Sequence, residues 1–495
     1  MLSHENAETK LPYRAEPALL YVELDNEDTI FPSWAGSPDD APASYRAELE
    51  KGYAPWLAER TAEGLRAPGP ALEEAKPVLP TFQASDAARA DYVQYLRKVE
   101  LDNVKELAGF VRGELGLHSM LIDSQASFGG LAGVLREAEL SDFVDVHGFW
   151  DHPRSSGSGK DVTWSLQNSS QVTAADGGTL GVMASYRVFG KPFSVSEYAV
   201  ATPNDYAEEM FPLLVGVAGL QDWDALFAFS YADQKREYEP TRINGVFDLA
   251  GHPTKLAFVA AAATAFRGGL VAPGTSRVEL LVPKQPLALP IAENALPNLW
   301  NMNGVPQTAA ALRQIGITLR DGGGSVTASY ALHVTGAIGS DSGELYWESR
   351  GEHPRFSVDA PGLKLVCGTV AQSALRFGEF SLEFGNFADR FACATLVALD
   401  GLPLRDSHRL LFNVAGRAEN AHRPNATDQT VGPLGAGPAL AQFIPVTLRL
   451  PRAAWHARSL DAKGAAVRAI PITTTDDSKL STSFDIPALA YAITR

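Results

Sequence analysis

Three side chains in this sequence have the types and positions that acid–base chemistry requires. Glu27, His147 and Glu197 each end or directly follow a short run of apolar residues that is typical of a buried β-strand. Two carboxylates can act as proton donor and nucleophile in glycoside hydrolysis when they lie about 5–5.5 Å apart on opposite sides of the anomeric carbon. One of them must keep its proton while the other stays ionised. These residues therefore predict hydrolysis of a glycosidic bond, provided that the fold brings Glu27 and Glu197 into one cleft.

The elements that must position these groups alternate between strand and helix. Apolar runs that indicate strands end near Glu27, Gln125, His147, Glu197 and Tyr231. Segments with helical periodicity separate them, including a long helical insertion at 40–115. Strands that are apolar almost throughout are typical of a parallel sheet covered by helices. We therefore predict an α/β fold of the (β/α)8-barrel type, in which the chemistry lies at the carboxyl ends of the strands.

The number of strands does not fit a complete barrel. Five strand segments are recognisable, whereas a full barrel has eight and typically about 250 residues. The residues before Ala18 are too few for three further strand–helix units. Either the fold is not a barrel, or this chain lacks the first strands of one, and the second interpretation is the one we favour.

The pattern changes after Gly268. Short runs of alternating apolar and polar residues follow one another to the end of the chain, with turn residues between them. This pattern is typical of an all-β sandwich. We predict two domains, with residues 1–268 forming the barrel portion and residues 269–495 forming an accessory β-sandwich.

Composition narrows the classes of partner. The net charge of −16 argues against nucleic acid, whose binding depends on Lys and Arg at the phosphates. No apolar run is long enough to span a bilayer, and the first residues show no secretory signal.

The two cysteines, Cys367 and Cys393, are expected to be buried free thiols, with a disulfide as the alternative if the protein is exported. No metal-ligand spacing or dinucleotide fingerprint occurs, so we expect neither a metal nor a cofactor.

Four segments together resemble clan A glycoside hydrolases over roughly residues 1–266. Asn26-Glu27 resembles the end of the clan's fourth barrel strand, which carries the acid/base. Segment 196–198, Ser-Glu-Tyr, resembles the end of the seventh strand, which carries the nucleophile. Segment 145–150, Asp-Val-His-Gly-Phe-Trp, is similar to the sixth strand, with Phe149 at the place of the usual Tyr, and segment 223–229 resembles the eighth. The resemblance implies that strands four to eight are present and that one to three are missing.

The resemblance also implies roles. Glu27 would be the general acid/base and Glu197 the nucleophile, while Asn26 would bind the sugar 2-OH. His147 would orient either a catalytic carboxylate or the sugar. Aromatic side chains that could stack on sugar rings are Trp150, Trp223 and Tyr231, and Gln125 is a further candidate substrate ligand.

We therefore predict a retaining hydrolase of a β-linked oligo- or polysaccharide that uses two glutamates. The alternative is a non-catalytic carbohydrate-binding protein or an inactive barrel remnant, because missing strands would leave the sheet with unpaired edges. The sugar, the linkage, endo or exo action and the oligomeric state are left open. The location is also open, with a secreted or periplasmic protein expected if a signal peptide lies upstream of Met1.

Overall fold

The computed structural model describes residues 1–36, 38–65, 79–80, 84–157, 162–233, 237–287, 289–292, 295–423, 434–474, 480–484 and 487–495. The first 267 residues contain these helices: α1 (Phe31–Trp34), α2 (Ala43–Ala62), α3 (Asp86–Gly109), α4 (Gly130–Leu140), α5 (Gly178–Ala184), α6 (Met210–Gln221) and α7 (Pro253–Arg267). Their strands are β1 (Tyr21–Glu23), β2 (Met120–Ile122), β3 (Val144–Trp150), β4 (Arg154–Ser156), β5 (Thr163–Ser165), β6 (Phe193–Val200) and β7 (Ala225–Ala228). No helix among the described residues is both long and apolar enough to cross a membrane.

The predicted helical insertion is present as α2 and α3. Ser85 caps α3, because its hydroxyl accepts the backbone N–H of Ala88 at 3.3 Å. Aromatic rings join the two helices: Tyr53 of α2 lies 5.3 Å, centroid to centroid, from Tyr95 of α3. The insertion therefore has its own apolar contacts, and the ion pair between Lys105 and Glu139 at 2.9 Å joins α3 to α4.

The five predicted strands are β1, β2, β3, β6 and β7. β1 pairs in parallel with β2, and β6 pairs in parallel with both β3 and β7. The N–H of Asp142 donates to the carbonyl of Leu121 at 2.9 Å, which joins the end of β2 to the approach to β3. The central strands are buried, whereas β1 and β7 are only partly buried. The architecture is thus mixed α/β with parallel strands in the predicted order, but the described strands do not close into a barrel.

A second small sheet follows the first seven strands. It comprises β8 (Arg277–Pro286), β9 (Gln314–Gly324) and β10 (Thr327–Ala328), with helix α8 (Ala295–Met302) between β8 and β9. β8 and β9 are parallel, and Ile317 of β9 bridges to Val188, just before β6. This sheet therefore packs on the first part of the chain, so the pattern after residue 268 is not sandwich throughout. The domain boundary near residue 268 stays a prediction.

The remaining strands form the β-rich part of the chain. They are β11 (Ile338–Gly339), β12 (Leu345–Glu348), β13 (Arg355–Ala360), β14 (Leu363–Thr369), β15 (Ala374–Phe377), β16 (Phe380–Phe384), β17 (Phe391–Ala398), β18 (Arg409–Ala415), β19 (Ala418–His422), β20 (Ala436–Ala441), β21 (Val446–Leu450), β22 (His456–Leu460), β23 (Ala466–Ile470), β24 (Thr473–Thr474), β25 (Leu480–Phe484) and β26 (Ala490–Thr494). A sheet in the order β11-β12-β13-β14-β17-β18-β26-β22-β23 faces a second sheet in the order β15-β16-β21-β25-β24.

Both faces of the larger sheet are covered. On one face, Phe412 and Tyr491 pack against Phe484 of the smaller sheet. On the other face, Phe356 and Val358 of β13 lie against Gly216 of α6. Contacts on this second face attach the sandwich to the helices behind the parallel strands.

The two cysteines correct one expectation. Cys367 of β14 and Cys393 of β17 are direct cross-strand partners, and their sulfurs form a disulfide. Both residues are fully buried. The favoured expectation of free thiols was wrong because the strand register, which the sequence does not reveal, places the two side chains side by side.

Candidate active site

Glu27 is held at the carboxyl end of β1 by backbone contacts with the end of β2. Its N–H donates to Oε1 of Gln125 at 2.8 Å, and the next N–H, that of Asp28, donates to the hydroxyl of Ser124 at 3.0 Å. Glu27 adopts a φ of 56°, a left-handed conformation that costs a non-glycine residue roughly 1–3 kcal/mol. The contacts with Gln125 and Ser124 maintain this conformation and direct the carboxylate across the strand ends.

His147 lies between the two candidate carboxylates. Its Nδ1 is 2.6 Å from Oε1 of Glu27 and 3.5 Å from Oε2 of Glu197. The imidazole is almost fully buried, while the side chains of Glu27 and Glu197 are 34% and 19% exposed. One nitrogen of His147, one carboxylate oxygen of Glu27 and one of Glu197 all lie within 4.8 Å of one another. The predicted pair therefore meets in one group.

A register shift between β3 and β6 brings this group together. Val146 pairs with Val195, yet His147 pairs with Glu197, so that Ser196 is the extra residue on β6. Such a bulge redirects side chains locally. Here it places Glu197 directly beside His147.

Burial and like charge perturb these titrations. Burial is the largest cause that raises the pKa of Glu197 to about 7; nearby His147 lowers it, and Glu27, Glu23 and Asp145 raise it further. For His147, burial alone would lower the pKa. The hydrogen bond to Glu27 and the charges of Glu197 and Asp145 outweigh burial, so the pKa of His147 is raised above its ordinary value.

The group opens into a cavity of about 760 Å³, within the usual range for ligand sites. Its lining includes the acidic residues Glu27, Glu197 and Asp176 and the histidines His147 and His152. Among the lining residues that the structure describes, none is a lysine or an arginine. The cavity is therefore acidic, and its basic groups are the two imidazoles.

An aromatic wall completes the cavity, and sequence reasoning missed it. Phe149, Phe229 and Phe247 contact one another, with ring centroids 4.9–6.1 Å apart, and His152 packs beside Phe247. Phe229 directly follows β7, so its position after a strand was a usable signal. Phe247 lies in an irregular segment with no such signal.

The structure brings five of the predicted site residues to the cavity and leaves three elsewhere. Those at the cavity are Asn26, Glu27, His147, Trp150 and Glu197. Trp150 donates its indole N–H to the carbonyl of Ser169 at 2.8 Å, which fixes the ring.

The other three predicted residues do not line the cavity. Gln125 is fully buried beneath it, where it bonds the backbone of Glu27. Trp223 is buried against Phe193, at the amino ends of β6 and β7, because it precedes its strand while the cavity lies at the carboxyl ends. Tyr231 is half exposed, and its hydroxyl donates to the carbonyl of Tyr238 at 3.0 Å. The structure thus offers no support for sugar stacking on Trp223 or Tyr231.

No protein-family model matches this chain, and no curated protein sequence matches it. One solved structure that the chain is similar to is the crystal structure of the GH39 enzyme from Xanthomonas axonopodis pv. citri, at 10% sequence identity. The match covers 91% of this chain and 72% of that chain, with a TM-score of 0.27. A TM-score this low does not establish a shared fold.

Proposed function

We propose that this protein hydrolyses O-glycosidic bonds of a β-linked oligo- or polysaccharide with retention of configuration. The observation that supports this most is the approach of the Glu27 and Glu197 carboxylates, which both line the cavity and have one oxygen each within 4.8 Å of the other. Retaining enzymes separate their two carboxyl groups by about 5–5.5 Å, and inverting enzymes by about 6.5–9.5 Å. The shorter separation favours the retaining mechanism.

The mechanism then has two steps. In the first, Glu27 protonates the leaving oxygen while the Glu197 carboxylate attacks the anomeric carbon and forms a covalent glycosyl ester. In the second, Glu27 takes a proton from water, whose oxygen attacks the same carbon and releases Glu197. Asn26 and Trp150, which also line the cavity, are proposed to bind the sugar. No metal or cofactor takes part in this scheme.

The pKa of Glu197 sets an expected pH dependence. As a nucleophile, Glu197 must be ionised, and its raised pKa of about 7 keeps it protonated in acid. We expect kcat/KM to rise with pH up to about 7, as Glu197 becomes ionised. Initial rates on an aryl β-glycoside between pH 4 and 9 measure this profile, and a rate already maximal at about pH 4.5 would contradict it.

The acidic cavity predicts which sugars are accepted. A carboxylate on the sugar would meet Glu27 and Glu197, and the described residues that line the cavity include no lysine or arginine to pair with it. Like charges a few ångström apart repel by about 3 kcal/mol at a protein-like dielectric constant, which corresponds to roughly a hundredfold in kcat/KM. We expect aryl β-glucosides or β-xylosides to be cleaved at least about a hundredfold faster than the matching β-glucuronide. Equal rates on the glucoside and the glucuronide would overturn this expectation.

A non-catalytic carbohydrate-binding protein is the second candidate. The observation in its favour is the partial exposure of the outer strands β1 and β7, with exposed side chains at Leu20, directly before β1, and at Phe227 of β7. A screen of neutral β-glycans, with reducing-end release and binding measured on the same samples, separates the two functions. Turnover that disappears in Glu197→Gln supports hydrolysis, whereas binding without any turnover supports the second candidate.

A further inference from the structure

A buried carboxylate lies behind His147, on the side away from Glu27. Asp145 of β3 is 1% exposed and accepts hydrogen bonds from four donors. Two of these are N–H groups that can only donate: the backbone amide of Ser196 at 3.1 Å and Nε2 of Gln125 at 3.3 Å. The other two are the hydroxyls of Ser194 and Ser196. Because one of the two obligate N–H donors reaches Oδ1 and the other reaches Oδ2, both oxygens of Asp145 act as acceptors.

The hydroxyl of Ser196 links Asp145 to the imidazole. A serine hydroxyl has a single proton, and here it is donated to Oδ2 of Asp145. The oxygen of Ser196 is also 2.9 Å from Nε2 of His147, so in this contact it must accept. Nε2 of His147 therefore carries a proton. This tautomer follows from counting donors and acceptors around Ser196.

The other ring nitrogen of His147, Nδ1, is the one that faces Glu27. Nδ1 of His147 is 2.6 Å from Oε1 of Glu27, a separation that needs one proton between the two atoms. Without a proton two lone pairs would face each other, and with two protons the groups would collide. His147 and Glu27 therefore share a single proton on the side that faces the cavity.

We propose that Ser196 is a positioning residue which, backed by Asp145, keeps a proton on Nε2 of His147 and so reserves Nδ1 for proton exchange with Glu27. This inference rests on the proposed function. It adds a residue that controls the proton exchange of the general acid/base, Glu27. When Glu27 gives the shared proton to the leaving oxygen, the imidazole remains neutral with Nε2–H in place. The proton that water releases in the second step returns to the gap between Glu27 and Nδ1, while the hydroxyl of that water bonds to the anomeric carbon.

The charged groups around His147 come from three strands or the loops that follow them. Glu27 follows β1, Asp145 lies on β3, and Glu197 lies on β6. Glu23 of β1 is linked to Asp145 through Nε2 of Gln125, which donates to both carboxylates. On the remaining side, the ring of Phe128 meets His147 edge to face at a centroid distance of 6.3 Å. Ser196 is thus the uncharged hydrogen-bond partner of the imidazole among the described residues.

The chain contains a matched control for this role. Ser194 and Ser196 lie two residues apart on β6, and both hydroxyls donate to Asp145, but only that of Ser196 also contacts His147. The test compares Ser196→Ala and Ser194→Ala by nitrogen-15 NMR of the imidazoles, with the His147 signal assigned from its loss in His147→Gln. Circular dichroism and thermal unfolding verify that each variant is folded.

We expect Nε2 of His147 to be protonated in the wild type throughout the pH range of activity. In Ser196→Ala, the imidazolium of His147 should lose a proton at a pH lower by about one unit, because the hydroxyl that accepts Nε2–H of the charged ring has been removed, and the neutral ring should no longer be confined to the Nε2–H tautomer. Ser194→Ala should titrate like the wild type. In turnover, Ser196→Ala should lower kcat roughly tenfold near neutral pH with little change in KM, and should shift the basic limb of the profile towards acid. Ser196→Thr, which keeps the hydroxyl, should restore both.

Several outcomes overturn the proposal. The first is that Nε2 of His147 carries no proton in the wild type at neutral pH. The others are that the His147 titration is unchanged in Ser196→Ala, or that it shifts by the same amount in Ser194→Ala. The wild-type measurement decides even if Ser196→Ala does not fold. Because the NMR titration needs no turnover, its failure is distinguishable from failure of the proposed function, which would appear as absence of hydrolysis in the wild type with the expected Nε2 proton intact.

Discussion

Replacing Glu197 by glutamine is expected to lower kcat on β-glycosides by about 10⁴-fold or more, as the loss of a catalytic nucleophile does in other enzymes. The amide has nearly the same shape as the carboxylate but cannot form the glycosyl ester. KM should change little, because Glu197 is one of many groups that line the cavity. Product sampled at fixed times, with enzyme-free blanks subtracted, measures the residual rate of hydrolysis by Glu197→Gln. Glu379→Gln, an exposed glutamate between β15 and β16 of the sandwich, is the matched control and should keep wild-type turnover.

The raised pKa of Glu197 makes this variant informative about roles as well. A general acid also needs a raised pKa. The raised pKa of Glu197 in the protein without substrate therefore fits the role of acid as well as that of nucleophile. Azide added to Glu197→Ala distinguishes the two roles. If Glu197 is the nucleophile, azide occupies its place and yields a glycosyl azide of inverted configuration. A product of retained configuration would exchange the roles of Glu27 and Glu197 while keeping the pair. Residual turnover near wild type in Glu197→Gln would reject the pair itself.

Replacing Glu27 by glutamine should have an effect that depends on the leaving group. Positioned proton transfer contributes typically about 10²–10⁴-fold, so a disaccharide, whose leaving oxygen needs a proton, should lose about that factor in kcat/KM. An aryl glycoside with an acidic phenol should lose far less in the first step. Its second step still needs a base, so the glycosyl ester should accumulate and a burst of phenol should precede slow turnover. The backbone contact between Glu27 and Gln125 does not involve the substituted group, so the local fold should be preserved.

Pre-steady-state phenol release and intact-mass spectrometry measure this behaviour. Azide should accelerate turnover of the aryl glycoside by Glu27→Gln and yield the azide of retained configuration, because it attacks the ester formed on Glu197. An equal loss on both substrates without a burst would mean that Glu27 is not the acid/base. The exposed control Glu379→Gln should show wild-type kinetics on both substrates.

Part of the site was predictable because it depends on local sequence. Parallel strands buried on both faces are apolar almost throughout, so β3 and β6 were visible as apolar runs. Since parallel strands share one carboxyl edge, Glu27, His147 and Glu197 were expected at the same edge. The helical insertion at 40–115 was likewise predictable from its helical periodicity, and the structure contains α2 and α3 there.

Other features depend on register and on contacts between distant segments. The pairing of His147 with Glu197 requires a one-residue bulge that no local pattern indicates. Phe247 reaches the cavity from an irregular segment, and Trp223 is buried because it precedes β7 rather than following it. The parallel pairing of β8 with β9 also joins strands on either side of a helix.

The amino-acid sequence was enough to predict parallel strands in the first half, the β-rich character of the second half, and two glutamates and a histidine as the candidate chemical groups. Those properties follow from the polarity of each residue and its neighbours. Three features became visible only in the folded chain: the approach of Glu27, His147 and Glu197 to within 4.8 Å of one another, the disulfide between Cys367 and Cys393, and the contact of Ser196 with His147. These depend on strand register and backbone direction, where a shift of one residue reverses which face a side chain occupies.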